Sequence, residues 1–313
     1  MISAVVITKN EQDRIKACLE SVKWADEIIV VDNGSSDNTL KVARKYTDKI
    51  LNLKDQDFAT IRNKGMDKAL GEWVLYIDAD ERVTRELADE IKKVMAMNKE
   101  ELEKYERNLP EKKLFERHIR ARTPRAKTEA VKEADVTSAG EPRRLDEYNA
   151  FFIPRLNYFL GKYLRYGGVY PDGAIRLFKK GKARLPCKDV HEIMEVEGQI
   201  GWLQNPLQHI DSPTFSRYLE RNSRYIDYMV EELRDCHSDR SGGIFQKQKD
   251  PSTNARDDII LFIDYIFLKP ISWFLMTTFR HKGILDGWQG IVFSFFSALR
   301  FPRAYFRYIN TRK

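Results

Sequence analysis

At 313 residues the chain is long enough for roughly two domains. Hydrophobic residues make up 42% and charged residues 32%, and a mean hydropathy of −0.54 excludes a protein that crosses a membrane many times. Lys and Arg outnumber Asp and Glu by 54 to 47, a net charge of +7, which favours anionic partners such as nucleotides or phospholipids.

In chain order, residues 4–8 are a short apolar β run with no basic stretch before it. That is the pattern of a strand and not of a signal peptide, so the active part is expected in the cytosol. Asn10 is placed to cap a helix in which Ile15, Leu19 and Val22 recur at helical spacing. Residues 27–32 (EIIVVD) predict a second strand, 39–46 a short helix and 49–53 a third strand. Asp57 can cap the next helix and Gly71 end it. Residues 73–77 (WVLYI) predict a fourth strand, followed by a helix that Thr84 caps, with Leu87, Ile91 and Val94 on its inner face. Apolar strands separated by helices predict an α/β fold whose mostly parallel sheet is covered on both sides.

The character changes over residues 98–147, where charges of both signs crowd out large apolar residues after Phe115. This segment reads as a solvated extension of the preceding helix and then a disordered excursion. Apolar residues return over 148–237, which includes a helix with Asp211 or Ser212 as cap, Pro213 at its first position and Tyr225, Met229 and Leu233 as its seam. Residues 238–257 read as a linker. The tail, 258–313, is rich in aromatic and basic residues, and its helices suit a membrane interface or contact with another copy. Its run 259–279 nearly matches a bilayer in length, but Asp264, Lys269 and Pro270 interrupt it.

Three widely spaced cysteines, Cys18, Cys187 and Cys236, support neither a disulfide framework nor a zinc ribbon. The strongest chemical signal is Asp78-Ala79-Asp80 after an apolar strand. Residues i and i+2 of an extended chain project to one side, so two carboxylates can converge on a hard cation, Mg²⁺ or Mn²⁺. Asp32 ends the second strand as Asp80 follows the fourth, which puts both near one sheet edge, where ligands of parallel sheets bind. Asp32 can equally start the NGSSDNT turn. Arg62 can pair with these carboxylates or with a phosphate. Neither a GxGxxG nor a GxxxxGK[ST] loop follows the first strand, which argues against a dinucleotide-dependent dehydrogenase and a P-loop NTPase. The basic charge gathers near the aromatic tail and not on a readable nucleic-acid face, so no nucleic-acid partner is expected.

The series VVITKNE, EIIVVDNGSSDNT and ATIRNKGMDKALGEWVLYIDADE resembles family 2 glycosyltransferases, enzymes of the GT-A fold. The resemblance resumes with FFIPRLNYFLGKYLRYGGVYPDGAIRLF, DVHE, LQHI and GILDGWQG, a block similar to the bacterial lipopolysaccharide-core β-1,4-glucosyltransferase branch. It implies that residues 1–97 are the nucleotide-sugar half of a GT-A domain and 148–237 its acceptor half. Thr8, Asn10, Glu11 and Asp32 would line the nucleotide site, Arg62 and Asp78 would lie near the sugar diphosphate, and Asp80 would hold the metal. The implied reaction is inverting transfer of a hexose from a UDP-sugar to a hydroxyl of a lipid-linked or lipopolysaccharide-core acceptor. It would take place at the inner face of the cytoplasmic membrane, against an anionic lipid surface.

An attacking hydroxyl needs a base, for which Glu192 and Asp172 are the candidates. His191, beside Glu192, can ligate the metal together with Asp78 and Asp80, while His209 reads as a core or capping residue. Transfer to a polyprenyl phosphate, which needs no base, and a degenerate transferase fold serving as a membrane scaffold are the alternatives.

Overall fold

Seven consecutive buried residues, Ile2–Thr8, form the central strand β1 of the computed structural model. The structure describes residues 1–54, 57–122, 147–186, 194–239 and 258–311. β1 pairs in parallel with β2 (Glu27–Asp32), which pairs in parallel with β3 (Ile50–Asn52). On its other side β1 pairs in parallel with β4 (Trp73–Asp78). Beyond a tight turn comes β5 (Glu81–Arg82), and later β6 (Tyr148–Ile153), β7 (Arg155–Phe159) and β8 (Lys162–Leu164). β9 (Ala174–Lys179) and two short strands, β10 (Ala183–Arg184) and β11 (Glu195–Val196), precede β12 (Gln199–Trp202) and β13 (Leu207–Ser212). The main sheet has the order β12-β6-β9-β4-β1-β2-β3. Only β9 runs against its neighbours, antiparallel to both β4 and β6. The expected mostly parallel α/β sheet is therefore what the chain forms.

Alternation along β1 sorts its side chains to two cores. Ala4 and Val6 join Val30, Leu75 and Ile77 against α1 (Ile15–Ser21) and α4 (Arg85–Met95), through Leu19, Leu87 and Ile91. Val5 and Ile7 join Ile29, Val31, Val74 and Tyr76 against Ile61 and Met66 of α3 (Phe58–Lys68). Each buried aliphatic side chain contributes about 1.5–3 kcal/mol of transfer free energy, so covering both faces is what holds this sheet. α2 (Thr39–Ala43) flanks β2 and β3 in sequence.

The caps fall partly as expected. Asp57 accepts from the Thr60 amide at 2.8 Å and Thr84 from the Leu87 amide at 3.2 Å. Asn10 is not a cap: it sits at φ 54°, and α1 starts at Ile15 behind Arg14. α3 ends at Lys68, ahead of Gly71. A side chain at Gly71 would meet the Ser3 amide at 2.8 Å, so the glycine serves close packing on β1 and not a helix end.

The charged segment 98–147 begins as ordered structure. α5 (Lys99–Arg107) opens with a capping box between Asn98 and Glu101, and α6 (Lys112–Arg122) follows. The Tyr105 hydroxyl donates to Glu90, whose carboxylate also accepts from the Gln204 and Asn205 amides at 2.7 and 2.8 Å. Phe115 stacks on Trp202 at 4.4 Å, and Phe152 lies 4.8 Å from the same ring. Expected excursion residues 123–146 lie outside the described residues.

By contacts the chain forms two units, Met1–Leu156 with Pro171–His209, and Asn157–Tyr170 with Ile210–Lys313. In the second, the helix Phe215–Asp239 starts with Thr214 accepting from the Arg217 amide at 3.3 Å, in place of the expected cap at 211 or 212. Its buried seam is Ile226, Val230 and Leu233, while Tyr225 is exposed. Residues Asp258–Arg280 form one continuous helix, so the expected interruption does not occur. A wide π turn, Asp264–Leu268, precedes Pro270 and removes the clash that a proline ring makes with the preceding turn of an α-helix. The helices Trp288–Ala298 and Arg300–Thr311 complete the unit.

The two sequence blocks YGG and GILDG meet within this unit. The buried Asp286 carboxylate accepts from the Arg165 amide at 3.1 Å and the Tyr166 amide at 2.8 Å. The Gly167 amide donates to the His281 carbonyl at 2.9 Å.

Candidate active site

Strand register brings the first candidates together. Thr8 pairs opposite Asp32 and Ile7 opposite Asp78, so these residues close one edge of the sheet as expected. Two buried polar atoms there, Thr8 Oγ1 and Asn33 Oδ1, have no hydrogen-bond partner among the described residues. Buried polar atoms are normally satisfied, so this edge fits a polar ligand. Asp32 itself organises the following turn, accepting from the Gly34 and Ser35 amides at 3.0 and 2.9 Å and from the Ser35 hydroxyl. Asn10 reaches across the same loop: its Oδ1 accepts from the Ser36 amide at 2.8 Å, and its own amide donates to Ser35 Oγ at 2.8 Å. The Glu11 amide donates to Thr39 Oγ1 at 2.8 Å, and the Glu11 carboxylate pairs with Arg14 at 3.0 Å.

The two aspartates of the DAD triplet are not both on extended chain. Asp78 ends β4, and the chain then turns through Ala79 and Asp80 into β5. Arg82 fastens this turn, donating to the Ala79 and Glu81 carbonyls at 2.8 and 2.7 Å and to the Arg14 carbonyl at 2.8 Å. The extended-chain argument fails for that reason, and the two carboxylates meet different partners.

Asp78 lies between two guanidinium groups, Arg62 at 2.9 Å and Arg176 at 2.8 Å. Burial opposes its charge, but Arg62 and Arg176 outweigh it and hold the carboxyl well below the usual carboxylate range. Arg176, itself buried, also binds the fully buried Glu81 at 2.7 Å and lies over the Tyr76 ring at 4.4 Å. Arg155 extends the network to Glu81 at 3.5 Å and Asp172 at 2.8 Å. Asp172 stands at φ 35° in its Pro-Asp-Gly turn. The next amide, Gly173, donates to His118 Nε2 at 3.1 Å.

Asp80 instead meets His209. β13 pairs antiparallel with β5, placing His209 opposite Glu81, and His209 Nε2 comes within 3.6 Å of the Asp80 carboxylate. Burial opposes ionisation of Asp80, yet its contact with His209 keeps the carboxyl below its ordinary value. One carboxylate and one imidazole are donors that suit Mg²⁺ or Mn²⁺. They do not make a closed protein cage: no group of three or more metal-ligating side chains occurs among the described residues. His191 and Glu192 lie outside the described residues.

Sequence reasoning singled out Arg62, Asp78 and Asp80, and passed over Glu81, Arg155, Arg176 and the contact of His209 with Asp80. Glu81 directly follows the triplet, which was a usable signal. Arg176 arrives 95 residues after Glu81 and His209 129 residues after Asp80, and only sheet pairing reveals them.

Residues 3–142 match the family model described as Glycosyl transferase family 2. An uncharacterized glycosyltransferase of Rickettsia conorii is 38% identical over 101 residues, 32% of this chain and 36% of that protein. The chain thus spans little more than a third of the length of such curated relatives. Among solved structures, Staphylococcus aureus TarS 1–349 is 15% identical, over 98% of this chain and 82% of that one, with a TM-score of 0.35. Glucosyl-3-phosphoglycerate synthase from Mycobacterium tuberculosis, solved with Mn²⁺ and UDP-glucose, is 20% identical over 31% of this chain and 40% of that one, with a TM-score of 0.28.

Proposed function

Because residues 3–142 match glycosyl transferase family 2, we propose that this chain transfers a hexose from a UDP-sugar, with inversion, to a hydroxyl of a lipid-linked or lipopolysaccharide-core acceptor at the cytoplasmic membrane face. The observation that carries the reading is the Asp80–His209 pair beside the arginine-held Asp78. A divalent cation bound by Asp80 and His209 supplies neutralisation of the charge that collects on the departing nucleoside diphosphate. The chain's own residues do the rest. Thr8 and Asn33 offer polar atoms to the nucleoside at the sheet edge. Arg62 and Arg176 hold Asp78 rigidly ionised, so its position beside the sugar diphosphate is fixed by two charged hydrogen bonds.

Asp172 is already engaged by Arg155, which leaves Glu192 as the base we favour for taking the acceptor proton. The aromatic, basic tail supports the membrane-face part of the reading.

Calorimetric titration of UDP-glucose, UDP-galactose, UDP-GlcNAc and GDP-mannose, each with and without Mn²⁺, tests the donor. Metal-dependent binding of one UDP-sugar that Asp80→Asn abolishes is the expected result. Silence across the panel defeats it and favours the scaffold alternative. With the donor known, Glu192→Gln is expected to abolish transfer while retaining donor binding. Full activity in both Glu192→Gln and Asp172→Asn would identify a phosphate nucleophile instead.

A further inference from the structure

Among the described residues, fifteen of the nineteen large hydrophobic side chains left exposed lie between Ile259 and Phe306, all in the second unit. Six of them, Ile259, Ile263, Phe267, Ile271, Leu275 and Phe279, recur every fourth residue along the helix Asp258–Arg280. In an ideal α-helix such a line drifts by about 40° per step, roughly 200° over its five steps. Two π turns, Asp264–Leu268 and Met276–Arg280, lie within it. Each takes up about one extra residue, or about 100° of phase. The drift is cancelled, and the six side chains form one straight apolar line.

The helix is about 34 Å long at 1.5 Å per residue, and by length and composition it can cross a membrane. Its other face argues against crossing. Tyr265 packs with Ile226, Val230, Leu233, Ala304 and Tyr308 of the two neighbouring helices. At mid-helix, Trp273 donates to Ser297 Oγ at 2.9 Å with Arg300 5.7 Å from its ring. Between those two neighbouring helices, Arg307 pairs with Asp227. A crossing helix would draw these charges into hydrocarbon, at several kcal/mol each.

We propose that the 258–280 helix lies flat on an anionic phospholipid bilayer, its 259–279 line sunk into the acyl boundary, so that the second unit is a one-sided membrane anchor. Ile284, Leu285, Trp288, Ile291 and Phe295 widen the same apolar surface, and exposed Arg280 and Lys282 supply positive charge beside it. The helix's own charges do not spoil the line, since Asp264 and Lys269 pair with each other at 2.8 Å and Lys269 lies over the Tyr265 ring at 3.8 Å. Lipid suits this surface better than a second copy does. None of the eleven side chains just named from the line and its extension, Trp288 apart, carries a hydrogen-bonding group, whereas protein interfaces need about one hydrogen bond per 100–200 Å². The inference deepens the reading above and rests on its membrane-face part alone.

The test is flotation of the full-length chain with phosphatidylcholine vesicles, with and without phosphatidylglycerol, followed by alkaline carbonate extraction. Binding that phosphatidylglycerol strengthens and carbonate reverses is expected. The triple variant Ile263→Glu, Phe267→Glu, Ile271→Glu alters only exposed positions and should lower partitioning by more than about tenfold, while Leu70→Glu, an exposed site in the first unit, leaves it unchanged. Resistance to carbonate would show a crossing helix and overturn the proposal. So would a triple variant that floats like the parent, or one that instead abolishes a concentration-dependent dimer. UDP-sugar titration of the triple variant keeps the two readings apart: retained donor binding with lost flotation supports the anchor, and a parent chain that floats without binding any donor fails the transferase reading only.

Discussion

Arg176 has the most consequential surroundings of any single side chain in the first unit. It joins Asp78, at the end of β4, to Glu81, which has no exposed surface at all. Removing one member of a buried ion pair strands the other, at a cost of about 3–5 kcal/mol. Arg176→Met is therefore expected to lower unfolding stability by that order in urea titrations, far more than the loss of an exposed arginine such as Arg184 would. His209→Ala should cost stability too, since Asp80 loses the partner that offsets its burial, and should also weaken metal-dependent donor affinity by about tenfold or more, read by calorimetry at varied Mn²⁺. Glu106 titrates in the neutral range for a simple reason. Burial lifts its carboxyl to about 7, against the Trp202 amide it accepts from and nearby Lys112. Its folded value exceeds the unfolded one, so it contributes stability at low pH that is lost as pH rises from the ordinary carboxylate range through about 7. Glu106→Gln keeps an acceptor for Trp202 and abolishes the titration. Unfolding midpoints should match the parent near pH 4 and exceed it near pH 8. Asp78 and Asp80 stood out in sequence because they directly follow an apolar strand, and Arg62 because it lies in the helix before it, even though the spacing argument for the triplet failed. Glu106, by contrast, sits in a segment whose charges all look solvated from sequence.

Helix and strand boundaries were readable wherever a periodic apolar face and a cap agreed, as in β2 and in α4 behind Thr84. They were not readable where tertiary contact replaced the local rule. Asn10 has the chemistry of a cap but is spent on the Ser35–Ser36 loop, and Pro270 has the chemistry of a helix breaker but follows a π turn. Glycines in the last helices follow the same logic. A Cβ on Gly290 would stand 1.9 Å from the Gly283 carbonyl oxygen and 2.9 Å from Asp286 Cβ. Both contacts belong to the turn that carries the Asp286 carboxylate to the Arg165 and Tyr166 amides. Gly290→Ala must therefore shift backbone, and we expect a loss of about 1–3 kcal/mol, measurable as a lower thermal midpoint. Gly161, whose Cβ would meet nothing within 4 Å, is the fair control for space, although its φ of 93° still strains alanine.

At the scale of the molecule, both units are discontinuous in sequence, since residues 157–170 belong with the chain after 210. Truncation after Asp257 is therefore not a clean removal of a tail. It takes Asp286 away from the loop it satisfies and is expected to yield mostly insoluble protein, whereas point changes on the exposed line leave the fold intact. A further property follows from β9, the one reversed strand. It arrives at Ala174, almost a hundred residues after β4 ends at Asp78, yet it alone closes the β4 edge. At ribosomal speeds of about 5–20 residues per second, that edge stays open for roughly 5–20 s in every nascent chain. For that interval β4 exposes an unpaired row of amides and carbonyls, and Glu81 lacks both its arginines, Arg155 and Arg176. A nascent chain halted before residue 179 is therefore expected to aggregate more readily than one released after it.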